Sequence, residues 1–73
     1  MNRTEFAKHY GFLRTEIDTS DVLMTVASTL SDIQFEIEHN INSDERIEKI
    51  NILKRFIFEY DDVIRREQRE AQL

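Results

Sequence analysis

The chain has no cysteine, no proline and no tryptophan, and its one glycine is at position 11. The missing cysteine excludes disulfides, thiolate metal sites and a cysteine nucleophile. With no proline and one glycine, there are few places where a helix is forced to stop. No apolar run approaches the roughly 18 residues a membrane span requires. The opening Met1-Asn2-Arg3-Thr4-Glu5 lacks the apolar segment of a secretory signal, so a cytoplasmic, membrane-free location is expected. A further absence is local: from Thr15 to Glu45 there is no lysine or arginine.

That basic-free stretch carries eight carboxylates, at Glu16, Asp18, Asp21, Asp32, Glu36, Glu38, Asp44 and Glu45. The cations fall on either side of it, from Arg3 to Arg14 and from Arg46 to Arg69. With a formal net charge of −5, such a middle repels bare nucleic acid and suits a basic protein surface.

The 73 residues fit one small helical domain spanning 1–73. A lone core of this size rarely supplies more than ~3–5 kcal/mol. Disulfides and thiolate metal sites are excluded, so self-association is the expected remedy. The composition, 40% hydrophobic and 34% charged, is that of a globular chain.

Apolar spacing is helical throughout and predicts an all-α fold of three helices. The first covers about Thr4 to Ile17, with Phe6, Tyr10, Leu13 and Ile17 on one face. Gly11 either interrupts that helix at a cost of about 1 kcal/mol or ends a shorter one after Tyr10. Asp18-Thr19-Ser20 offers three N-cap residues. A second helix, about 20–39, then carries a seam of Leu23, Val26, Leu30, Ile33 and Ile37. Asn40-Ile41-Asn42-Ser43 is the next break, and Asn42 with Glu45 resembles a capping box. The third helix, about 44–69, has the seam Ile50, Leu53, Ile57, Tyr60 and Ile64. The short connection makes helices two and three an antiparallel hairpin, with its longer arm giving the first helix a place to pack. Residues 66–73 are expected to fray.

The seams leave much apolar surface unaccounted for. Phe56, Val63, Ile47, Phe58 and Ile52 lie off the third seam, and Met24, Ser28, Ser31 and Phe35 form a separate stripe on the second helix. Three occupants are open: the first helix folding back, a homodimer completing a four-helix bundle, or a partner protein gripped through Phe35 or Phe58. One short helix is too small to cover both faces, which favours the homodimer.

Residues Ala7, Gly11 and Ile17, with Phe6, Tyr10 and Phe12 at the remaining apolar positions, are spaced in a register that resembles the helix-turn-helix of bacterial repressors. The resemblance covers about Thr4 to Val22 and implies a recognition helix from Leu13 to Val22, exposing Arg14, Glu16, Asp18 and Asp21. Three acids against one arginine oppose phosphate binding, and position 20, apolar in that pattern, is Ser. Glu36-Ile37-Glu38-His39 contains Glu-x-x-His, the ligand spacing of di-metal bundles, but in a single copy flanking the seam. Asp61-Asp62 and Glu36/Glu38 are spaced so that their side chains diverge. Neither His9 nor His39 has a Ser or Asp at a spacing that would place the two side chains together on one helix face. No catalytic residue, cofactor or metal site is expected.

The sequence therefore points to a small acidic interaction module, a regulatory adaptor or inhibitor that binds another protein and forms a homodimer. Its expected partner-binding residues are Met24, Phe35 and Phe58 on apolar faces and Asp32, Glu36 and Glu38 on the acidic one. The alternative is a nucleic-acid mimic whose carboxylates block a basic cleft, in the manner of phage or mobile-element accessory proteins. A helix-turn-helix DNA-binding regulator is the third reading.

Overall fold

The computed structural model describes residues 1–42 and 44–72. Ser43, the last residue of the expected break, and Leu73, the end of the expected frayed segment, lie outside the described residues. The described chain is an all-α three-helix unit: α1 (Arg3–His9), α2 (Thr19–Glu38) and α3 (Arg46–Ala71).

Each boundary has a local cause. Asn2 caps α1 by accepting from the Glu5 amide at 2.8 Å. The helix ends after two turns because Gly11 takes φ +74°, the left-handed position beyond a helix end. There the Gly11 amide donates to Lys8 O and the Phe12 amide to Ala7 O, at 3.2 and 2.9 Å. The shorter first helix is thus the one formed. Asp18 opens α2 with a reciprocal box: its carboxylate accepts from the Asp21 amide, and that of Asp21 accepts from the Asp18 amide. Asn40, at φ 54°, closes α2 as Gly11 closes α1, its amide donating to Ile37 O and the Ile41 amide to Glu36 O.

Two expectations about boundaries fail. The segment Leu13–Asp18, which the repressor-like register assigns to a recognition helix, is a connection, and α2 starts only at Thr19. Three capping residues in succession place the helix start there. At the other break, α3 begins at Arg46, not at Asp44, and its N-cap Glu45 makes no side-chain cap bond. α3 also runs on through 66–71 to Ala71, tied there by Glu67 to Arg3.

The core joins α1 to both arms of the hairpin. Phe6 and Ala7 are fully buried, packed with Ile17, Val22, Leu53, Phe56, Tyr60 and Val63. Phe6 has four aromatic neighbours, Tyr10, Phe56, Tyr60 and Phe12, with ring centroids 4.9, 5.2, 5.4 and 6.4 Å away. Arg3 ties α1 to the far end of α3 through a two-bond contact with Glu67, 2.6 and 2.8 Å, while its third bond reaches Ile17 O at 2.6 Å. Tyr10 donates to Glu59 at 2.5 Å from the other end of α1.

Both expected seams are rotated. On α3 the buried row is Leu53, Phe56, Tyr60 and Val63, so Phe56 and Val63 join Leu53 and Tyr60, Ile50 and Ile57 are exposed, and Ile64 packs half-buried against the core. On α2 the inward residues are Val22, Val26 and Ile33, leaving Leu23, Leu30 and Ile37 in solvent. α1 causes the rotation. Its aromatic ring, Phe6, sits on the Phe56 side of α3, and the hairpin turns that side inward.

Candidate functional site

Two surfaces stand out, one on each side of the hairpin. On the first, α1 and the loop after it cover only part of the flank. Where α1 stops, a cleft of about 390 Å³ opens. Tyr10, Gly11 and Phe12 form one end, Leu53 and Phe56 the floor, and Thr25, Thr29, Lys49 and Ile52 the sides. The two threonines turn their hydroxyls back onto the Asp21 and Thr25 carbonyls, both at 3.0 Å. Those bonds leave the methyls as the wall facing outward.

The second surface is the opposite flank. Successive helical residues are rotated by about 100°, so residues turned the other way from the core fall opposite Thr25 on α2 and opposite Ile52 on α3. These are Leu23, Leu30 and Ile37 on α2 with Ile50 and Ile57 on α3. All five are exposed, Leu30 by 52% and Leu23 by 62%. Because the arms run antiparallel, the two rows lie side by side as one apolar face.

The residues singled out from sequence fall in four places. Met24 and Phe35 do share one stripe, on the outer side of α2, and both are exposed. Phe35 stacks on His39 with centroids 4.0 Å apart, and His39 Nδ1 lies 3.0 Å from Phe35 O. Phe58, 68% exposed, faces outward from α3, away from them. Asp32 lies on the cleft side of α2, where its charge reaches Lys49. Glu38 points outward and accepts from Gln34 at 2.9 Å.

Glu36 is committed to its own chain. It accepts from Lys49 at 2.6 Å and lies 3.4 Å from Arg46, joining the two arms near the hairpin turn. The Lys49 hydrogen bond, with help from Arg46, holds its carboxyl below the ordinary glutamate value. The same bond holds the Lys49 ammonium above the ordinary lysine value, with Glu45 and Asp32 adding to the field. Asp32, Glu36 and Glu38 therefore form no single acidic row.

Among the described residues, no group of three or more histidines or carboxylates is placed to hold a metal ion. Also among them, no helix is long and apolar enough to cross a membrane. Sequence reasoning missed the cleft. Its signal was present in Gly11, which stops α1 short, and in Thr25 and Thr29, spaced one turn apart beside it. Compared with known protein families, characterised proteins and solved structures, the chain matches none.

Proposed function

We propose that this protein is a small interaction module, a regulatory adaptor or inhibitor, that self-associates through the open hairpin face and presents its acidic surface to a partner protein. One observation carries the reading: Leu23, Leu30, Ile37, Ile50 and Ile57 occupy a single uncovered face of the hairpin. Isolated exposed aliphatics need no explanation, but a contiguous apolar face on a soluble-type helix pair marks a binding surface.

The size of the face fits a second copy. α2 is about 30 Å long, and the molecule measures 20 Å across its middle axis. Two hairpins meeting there make a four-helix bundle. α1 stays on the outside of each.

Light scattering over a concentration series tests this. The expected mass is about twice 8.8 kDa. The double variant Leu30→Glu with Ile57→Glu is expected at the monomer mass with its helical circular dichroism retained. A wild-type protein that stays monomeric at every concentration overturns the dimer.

A further inference from the structure

We propose that the cleft beyond the end of α1 is a docking groove for a basic amphipathic helix of a partner protein, seated end to end with α1. The proposal rests on the reading of this chain as an interaction module and names the site and the chemistry of what it binds.

Length supplies the first argument. α1 has seven residues, about 10 Å of helix, and lies beside residues 59–67 of α3. There α2 has only begun at Thr19, so most of the roughly 30 Å of hairpin lies beyond the end of α1. Its axis runs antiparallel to α3, with Arg3 beside Glu67 and Tyr10 beside Glu59. Beyond Gly11 the chain leaves the flank, and the track continues past Phe56 and Leu53 towards Lys49. About three helical turns fit in the remaining length, enough for apolar anchors at i, i+3 or i+4, and i+7.

Charge supplies the second. The floor and walls are apolar, made by Phe56, Leu53, Ile52 and the threonine methyls. The rim is mostly acidic: Asp32 on α2, Glu48 on the α3 side beside Lys49 and Ile52, and Glu59 with Arg55 at the Tyr10 end. Among the described residues that line the cleft the one cation, Lys49, is already matched by Glu36 at 2.6 Å. An apolar floor under an acidic rim complements a helix with an apolar stripe flanked by lysine or arginine, and repels an acidic one.

The test uses two fluorescently labelled peptides of about 14 residues, sharing one leucine stripe and differing only in lysine or glutamate at the flanking positions. In anisotropy titrations the lysine peptide is expected to bind at least about tenfold more tightly than the glutamate peptide. Ile52→Lys, at an exposed position, should weaken the lysine peptide by about tenfold or more, and Asp32→Lys with Glu48→Lys should reverse the preference. Amide shifts should cluster at Tyr10, Phe12, Thr25, Thr29 and Ile52. Equal binding of both peptides, or no binding of either, overturns the proposal. Loss of binding on Leu30→Glu but not on Ile52→Lys also overturns it, because the helix then sits on the open face. The dimer stands or falls separately on the mass measurement: a monomer that binds the lysine peptide in the cleft keeps this proposal and rejects the dimer.

Discussion

Arg3 and Glu67, 64 residues apart in sequence, meet through two bonds of 2.6 and 2.8 Å and fasten the start of α1 to the last turns of α3. Both side chains are partly solvated, 31% and 42% exposed, so solvent screens much of the attraction. With the bond to Ile17 O also lost, Arg3→Ala is expected to destabilise by about 1 kcal/mol. A double-mutant cycle with Glu67→Gln in urea should return a coupling of about 0.2–1 kcal/mol that shrinks as salt is added.

Phe6 is a different kind of contact, fully buried against four rings. Phe6→Ala should cost about 3–5 kcal/mol. That equals what a core of this size supplies, so the variant is expected to lose its cooperative thermal transition. A sharp melt retained near the wild-type midpoint would show that α1 contributes little.

Two positive-φ positions should respond in opposite ways. Gly11→Ala places a Cβ in free space yet in the left-handed region, costing about 1–2 kcal/mol. Asn40→Gly relieves that penalty and should raise the melting temperature. Asp18→Ala, which removes half of the α2 capping box, should cost about 0.5–2 kcal/mol. Thermal melts of the three variants check all three signs.

Stability should fall on both sides of neutrality. Asp21 is held below 3.8, chiefly by the Asp18 amide; Glu36 and Glu67 are held below 4.5, chiefly by Lys49 and Arg3. A lowered folded value means each contribution is present above those unfolded values and is lost as pH drops through the folded ones. Unfolding free energy should therefore decline below about pH 4.5. Tyr10 has the opposite sign: burial, with the bond to Glu59, pushes its phenol from 10.0 up to about 12. Its contribution is full below pH 10 and lost as pH climbs towards 12. Tyr10→Phe should remove that alkaline component, measurable as a missing late step in phenolate absorbance.

The sequence was most legible where one residue type has one use. The helix count, the antiparallel hairpin, the cap at Asp18 and the break at Asn40 all follow from residues with strong local preferences. Rotation about the helix axes was not legible. On α3, Ile50–Ile57–Ile64 and Leu53–Phe56–Tyr60–Val63 are both apolar rows, and periodicity alone gives no reason to bury one before the other. The choice is made by Phe6 and Ile17, which lie far away in sequence. For the same reason the open face was assigned to a seam, and the cleft, which exists only because α1 stops at Gly11, was missed. Glu36 looked like a surface acid because its cations, Arg46 and Lys49, lie across the hairpin turn.

The stopping of α1 at Gly11 also orders events in time. Glu36 and Lys49 are 13 residues apart, so the hairpin arms find each other at small cost in chain entropy. Tyr10 and Arg3 must reach Glu59 and Glu67 across 49 and 64 residues, and that closure precedes any gain from burying Phe6. α1 is therefore expected to dock last and to open first. Its amides should exchange with deuterium well before those of α2 and α3, and a protease should cut first between Gly11 and Asp18. The end wall of the cleft hangs on this least protected element, so a helix seated against Phe12 would slow exchange in α1 before it slowed exchange anywhere else.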